Sequence, residues 1–496
     1  MKRQSGILLH ITSLPNKYGV GTLGKEAYEF VDYLKEANVK IWQVLPTVPT
    51  SYGDSPYQSF CATAVNPYMI DLDELRKRGL LKLSEYRNVD FGQNEPKVNY
   101  EKLFNERFKI LRIAFSRFNR NNASYKKFLK EKEYYNYALF MSLKYHFNQK
   151  SWNEWPEEYR NRDELALAAY AKENKKDIEF FEFTQYMFLR QWKKLKRYAN
   201  KNGIQIMGDM PLYVAYDSIE TWTRPEMFQL DENKNIKFQA AVPPDCFTEW
   251  GQLWGNPIYD WEFMKNENYA WWNYRIENAF SMFDIVRIDH FRGFDRFYQV
   301  EKQYNDAKIG EWKDGPKFDL FKDKTHLKIV AEDLGFIDEG VHILMRQTGY
   351  PGMKIMEFAF DGSPDNEHKP SNYTENFVVY SGTHDNMPLR QYIDDLNEWE
   401  RNRFVEDLRK ECEPYKIKVK ETDSVSLTKK VIELGYASKA NTAIFPMQDL
   451  LAQGVESRMN LPATVSTDNW SYKISKKDLS KRLQNRIKKF NKLYNR

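Results

Sequence analysis

Phe283-Asp284-Ile285-Val286-Arg287-Ile288-Asp289-His290 reads as a β-strand with charged residues gathered at its C-terminal end. Side chains alternate along a strand, so Ile285, Arg287 and Asp289 share one face while Val286 and Ile288 take the other. A guanidinium two positions from a carboxyl on the same face favours the ionised carboxylate, which equips Asp289 to act as a nucleophile. Taken alone, the segment reads equally well as a structural interior ion pair.

Seven more apolar segments of strand length resemble it, at 6–10, 41–46, 204–211, 297–300, 327–333, 353–360 and 377–385. Several are nearly all apolar, as parallel strands covered on both faces should be, with polar residues at their C-terminal ends. Between the first two, Ala27, Phe30, Val31, Leu34 and Ala37 form one helical stripe, which makes a β-α-β unit. Eight strands with intervening helices predict an α/β fold, a (β/α)8 TIM barrel with its function at the strand C-termini. A doubly wound open sheet is the alternative, but no Gly-x-Gly-x-x-Gly opens a helix and no P-loop is present. The spacing is uneven, with about 160 residues between the second and third segments, far more than one helix requires. The expectation is one catalytic barrel over residues 1–496, with large, mainly helical insertions around its mouth at about 51–200, 212–280 and 386–465.

Composition narrows the class without naming a partner. The 496 residues are 42% apolar and 29% charged, enough for a large core. The 75 basic and 70 acidic residues leave a net charge of only +5, which is no nucleic-acid footprint. At 473–496, Leu479, Leu483, Ile487, Phe490 and Tyr494 recur at helical spacing beneath ten Lys and Arg, a packed terminal helix with a solvated basic face. Cys61, Cys246 and Cys412 are odd in number and far apart, so a reducing compartment is expected. The short run Ile7-Leu8-Leu9 is no secretory signal and no run reaches membrane-spanning length, so the expectation is a cytoplasmic protein with neither nucleic acid nor membrane as partner. Phe, Trp and Tyr make up 16% of the chain, which suits a sugar site but more often fills a core.

Two further strand ends are acidic. Residues 327–333 deliver Glu332 and Asp333, and 377–385 ends in Thr383-His384-Asp385, followed by Asn386. Retaining glycoside chemistry needs one carboxylate to attack the anomeric carbon and a second, protonated first, to donate to the leaving oxygen. A third carboxylate nearby opposes ionisation of the acid. The seven histidines are dispersed and His-Glu-x-x-His is absent, against a hydrolytic metal site. Gly-x-Ser-x-Gly is absent too, against a serine nucleophile.

Ordered motifs then carry a resemblance that runs nearly end to end. They are Gly6-Ile7-Leu8-Leu9-His10, Ser55-Pro56-Tyr57-Gln58-Ser59, Asn66-Pro67-Tyr68, Gly208-Asp209-Met210-Pro211, Pro243-Pro244-Asp245, Gly251-Gln252-Leu253-Trp254-Gly255-Asn256-Pro257, Arg287-Ile288-Asp289-His290-Phe291-Arg292-Gly293, Ala331-Glu332-Asp333-Leu334-Gly335 and Thr383-His384-Asp385-Asn386. The chain resembles the amylomaltases or disproportionating enzymes, glycoside hydrolase family 77. The resemblance implies a 4-α-glucanotransferase with Asp289 as nucleophile, Glu332 as general acid/base and Asp385 as transition-state stabiliser. It implies further that Arg287, His290 and His384 bracket the reacting sugar and that Asp209 and Tyr57 shape the donor side. Ser55, Asp245, Gln252, Trp254, Asp361 and Asn460 would line other subsites. The partners implied are α-1,4-glucans and maltooligosaccharides as donor and acceptor, with a monomeric enzyme and no metal or organic cofactor.

The sequence departs from the family pattern at Cys246 and Trp250, at Ala463 in Arg458-Met459-Asn460-Leu461-Pro462-Ala463-Thr464, at Asp468 before Asn469-Trp470, and at Tyr472-Lys473. These bear on acceptor preference and product size. An α-amylase-type hydrolase and an inactive glucan-binding barrel are the rival readings, the second disfavoured by the intact Asp289, Glu332 and Asp385.

Overall fold

The computed structural model describes residues 2–244 and 249–496. Within them lie twelve strands: β1 (Gln4–Leu8), β2 (Ile41–Gln43), β3 (Gln205–Met210), β4 (Phe238–Val242), β5 (Gln252–Pro257), β6 (Ile285–Ile288), β7 (Arg296–Glu301), β8 (Glu311–Asp314), β9 (Ile329–Ala331), β10 (Gly352–Ile355), β11 (Phe377–Tyr380) and β12 (Thr442–Pro446). Eight are parallel, in the order β10-β11-β12-β1-β2-β3-β6-β9. The Ala331 amide, at the end of β9, donates to Pro351 O just before β10 at 3.0 Å, which brings the edges of the sheet together into a nearly closed TIM barrel.

Local sequence explains the first unit. Ala27, Phe30, Val31 and Leu34 of helix Lys25–Glu36 are buried against the sheet. The helix stops because Asn38 takes a left-handed conformation, φ 58°, and Val39 N returns to Leu34 O. A 27-residue helix, Lys175–Lys201, then closes the first insertion and doubles as a barrel helix, its Trp192 Nε1 donating to Met282 O at 3.0 Å. Much of the aromatic content fills this insertion: Phe108, Phe115, Phe118, Tyr125, Phe180, Phe183 and Tyr186 pack ring to ring. At Gly208 in β3 any Cβ would fall 2.2 Å from the Phe283 ring, so close packing of that ring demands glycine.

Two strand assignments are corrected. Residues 297–300 do not enter the barrel: they lie in β7, part of a separate antiparallel sheet, β5-β4-β7-β8. Only a seven-residue stretch, 289–295, separates β6 from β7. A parallel neighbour needs a crossover of roughly a dozen residues or more, so that connection is too short. The true eighth strand is β12, which pairs with β11 and β1 and lies inside the stretch 386–465 expected to be an insertion. Its Thr-Ala-Ile-Phe-Pro run is short, ends without an acidic residue and is fully buried. The stretch 212–280 likewise contains β4 and β5 beside helices Trp261–Asn266 and Ala270–Met282.

The C-terminal reading agrees with the structure: helix Lys481–Leu493 buries Leu483, Ile487 and Phe490. No described helix is long and apolar enough to cross a membrane.

Candidate active site

The acidic residues sit just beyond the strand C-termini: Asp289 after β6, Glu332 after β9 and Asp385 in the turn after β11. Beside them opens a cleft of about 1330 Å³ whose walls include Tyr57, Trp254, Asp289, His290, Asp385 and Asn460. It runs on past Ser55 and Gln252 to Tyr100, Phe104 and Asp217, between the barrel mouth and the first insertion.

Arg287 organises the centre. Its Nη2 donates to Asp289 Oδ1 at 2.6 Å, and its Nη1 reaches both oxygens of Asp209, at 2.8 and 2.7 Å. The side chain of Asp209 has no exposure and that of Arg287 only 4%, whereas that of Asp289 keeps 27%, on the cleft side. Burial pushes the Asp209 carboxyl up; the guanidinium opposes this and is itself held well above its ordinary range by the two carboxylates. Tyr57 OH adds a donor to Asp209 Oδ2 at 2.7 Å, and its own phenol is pushed well up by burial and then by that carboxylate.

Glu332 differs in kind. The residue is 8% exposed, and its carboxyl accepts from His290 N at 2.7 Å and Leu334 N at 2.8 Å. Burial first, then the Asp289 charge, pushes it up to about 8, against the opposing pull of Arg287 and the two amides. A carboxyl that keeps its proton at neutral pH beside an Arg-held carboxylate is equipped to act as a proton donor. The amide pointing at Glu332 belongs to a residue in the left-handed region, His290 at φ 51°, a conformation about 1 kcal/mol or more above the usual helical one. The His290 ring lies edge-on to Trp254 at 4.8 Å, and burial lowers its imidazole to about 4, leaving it neutral.

Asp385 is the most open of the three, with a side chain 44% exposed. Asn460 Nδ2 donates to its Oδ1 at 2.7 Å and Arg458 Nη2 to its backbone carbonyl at 2.8 Å. His384 Nε2 lies 3.3 Å from Asp385 Oδ2, and its ring stacks on Tyr57 at 4.9 Å and 12°.

The structure thus brings Tyr57, Asp209, Arg287, Asp289, His290, Glu332, His384, Asp385 and Asn460 into one connected centre, with Ser55, Gln252 and Trp254 on the cleft wall. Asp361 stands apart on an exposed turn after β10, accepting from Ser363 N, and is not among the residues lining the cleft. Asp245 and Cys246 lie outside the described residues. Sequence reading assigned no role to Trp470, tilted 5.4 Å from Tyr57, or to Tyr213, which meets Trp254 edge-on at 6.1 Å. The Asn469-Trp470 pair, which follows the departing Asp468, is a signal for the first; nothing local marks the second.

A parallel barrel with three carboxyls at its strand ends and a long cleft above them defines an enzyme of the barrel-borne glycoside class. A family model described as 4-alpha-glucanotransferase (Glyco_hydro_77) matches residues 9–479. A 4-alpha-glucanotransferase of Clostridium butyricum is 42% identical over 98% of this chain and 100% of its own. One of Streptococcus pneumoniae is 40% identical over 100% of this chain and 98% of its own. Among solved structures, an amylomaltase from Streptococcus agalactiae in complex with acarbose superposes with a TM-score of 0.94 at 42% identity, covering all of both chains. The chain belongs to the 4-alpha-glucanotransferase family, glycoside hydrolase family 77, and is a glycosyltransferase-type enzyme.

Proposed function

We propose that this enzyme is a retaining 4-α-glucanotransferase that moves α-1,4-glucan segments between maltooligosaccharide or glucan chains through a glycosyl ester on Asp289. Glu332 gives its proton to the glycosidic oxygen as the Asp289 carboxylate attacks the anomeric carbon; that C–O bond breaks and an aspartyl ester forms. The shortened chain leaves. Glu332, now ionised, takes the proton of an acceptor 4-hydroxyl, which attacks the anomeric carbon and expels Asp289, so two inversions restore the α-anomer. Asp385, tethered by Asn460 and Arg458, faces the positive charge that develops on the sugar ring. On this reading the whole chain is one catalytic unit, working as a monomer in the cytoplasm.

The observation that carries the reading is the contrast between Glu332, buried and held protonated to about 8, and Asp289, clamped by Arg287. A buried acid that keeps its proton beside a carboxylate paired with a guanidinium is what acid and nucleophile require. The cleft of about 1330 Å³ exceeds an ordinary small-molecule pocket and suits a chain of several sugars. The acarbose held by the Streptococcus agalactiae amylomaltase supports the substrate class.

Incubation with maltotriose, following chain lengths and total reducing ends, tests it. A ladder of longer oligosaccharides plus glucose, at constant reducing ends, is expected. Rising reducing ends without longer products mean hydrolysis, and no change at all means that the chain only binds glucan.

A further inference from the structure

Beneath the turn that carries Asp385 lies a buried acid that the mechanism above does not use. Glu357 follows β10 and is 6% exposed. Its Oε1 accepts from Asn386 Nδ2 at 3.1 Å, its backbone amide donates to Ser381 O at 3.0 Å, and its Oε2 is buried without a hydrogen-bond partner among the described residues. Asn386 turns its other end to the loop: Oδ1 accepts from Thr383 N at 2.8 Å and Thr383 Oγ1 at 2.9 Å. Thr383 Oγ1 in turn accepts from Asp385 N at 3.2 Å. Gly382 completes the contact, since a Cβ there would meet Asn386 Cβ at 3.0 Å and Glu357 Oε2 at 3.5 Å. An unbroken chain of hydrogen bonds therefore runs from Glu357 through Asn386 and Thr383 to the backbone of Asp385.

We propose that Glu357 is a positioning residue for the transfer reaction, a neutral carboxylic acid that fixes Asn386 and, through it, the turn that aims Asp385 into the cleft. An ionised carboxylate with one hydrogen bond and a bare, buried second oxygen is far more costly than the neutral acid, which asks less of its surroundings. The groups facing it are Asp449, Tyr392 and Arg458. Burial above all, then the Asp449 charge, pushes Glu357 up to about 8, with Asn386 and Arg458 pulling the other way. Neutrality also leaves Arg458 free to hold the Asp385 and Asn460 carbonyls, which its guanidinium reaches at 2.8 Å each. A carboxylate at 357 would compete for that guanidinium and loosen Asp385 from two sides.

The inference rests on the glucanotransferase reading for its kinetic part alone. Glu357→Gln keeps the shape, supplies the same carbonyl and cannot ionise. Near pH 6.5 it is expected to keep kcat for maltotriose within about threefold, whereas Glu357→Leu loses about tenfold or more in kcat with KM within about twofold. Above about pH 8 the loss of the Glu332 proton lowers activity in both proteins, and the fall in kcat should be shallower in Glu357→Gln, which lacks the second ionisation of the parent. Infrared difference spectra of parent against Glu357→Gln should show a protonated-carboxyl stretch near neutrality that vanishes above about pH 9. In a crystal structure of Glu357→Leu, the bond between Asn460 and Asp385 should be lost. A Gln variant as impaired as the Leu variant, a Leu variant with parental kcat, or a carboxylate already ionised at neutral pH overturns the proposal. A parent that transfers no glucan defeats the functional reading instead, and the infrared and crystallographic results still decide the state and role of Glu357.

Discussion

Arg287 Nη2 donates to Asp289 Oδ1 at 2.6 Å from a side chain only 4% exposed, while the other arm of the same guanidinium holds Asp209. Only a planar fork serves two carboxylates at once in so little space. Arg287→Lys should therefore lower kcat by about 100-fold, leave one buried carboxylate unpaired and destabilise the fold by about 2–4 kcal/mol. Chemical denaturation together with maltotriose kinetics checks both effects.

Loss of Asp289, the nucleophile in the proposed mechanism, should be far more selective. Asp289→Asn is expected to reduce transfer by about 10,000-fold or more, with little change in melting temperature because the amide oxygen still accepts from Arg287. An unaltered rate would remove Asp289 from the chemistry.

On the proposed reading Glu332 should govern the alkaline limb of the pH profile. In the proposed mechanism its proton is the one transferred, so kcat/KM should fall as pH rises through about 8. Stability follows the same group with a definite sign. Its carboxyl rises from an ordinary 4.5 to about 8 on folding, so between these values the unfolded chain ionises first and gains. Stability from this group is complete below about 4.5 and fades by a few kcal/mol as pH rises towards 8. Urea unfolding at stepped pH measures it; stability that climbs between pH 5 and 8 in the parent and not in Glu332→Leu contradicts the assignment.

Tyr57 joins two walls of the site, giving its hydroxyl to Asp209 and its face to His384. Tyr57→Phe keeps the stack and drops the hydrogen bond to a buried carboxylate, for an expected loss of about 1.5–3 kcal/mol of stability. Tyr57→Ala also removes the stacking face and should raise KM for maltotriose well beyond the Phe variant. Equal KM values in the two variants would deny the ring a role in sugar binding.

Trp250, one of the departures from the family pattern, is 57% exposed, and Lys308 Nζ lies 3.6 Å above its ring. One face is thus already occupied by a cation, so Trp250→Ala should change product lengths only modestly, by less than about 1 kcal/mol in the binding of long donors. Lys308→Ala, which bares the ring, should strengthen it as a stacking surface. Transfer kinetics and product sizes unchanged in both variants would leave Trp250 without a part in substrate contact.

The barrel, the carboxyl trio and the Arg287–Asp289 pairing were legible in the sequence, because each follows from short-range rules: alternation within a strand, acidic strand ends, and apolar runs buried on two faces. It misplaced the fifth and eighth strands, because residues 297–300 have strand character in any sheet and 442–446 carry no polar flag. Partner choice between strands is a property of connections and packing, and a single short run does not encode it. Tertiary structure supplied the physical cause by which Glu332 keeps its proton. Glu332 and Glu357 are pushed up to about 8 by burial that local sequence does not reveal, and Asp385 owes its aim to Asn460 and Arg458, more than 70 positions away in the chain. Charge state follows the dielectric and donors around a group, and these exist only once the distant segments have folded together.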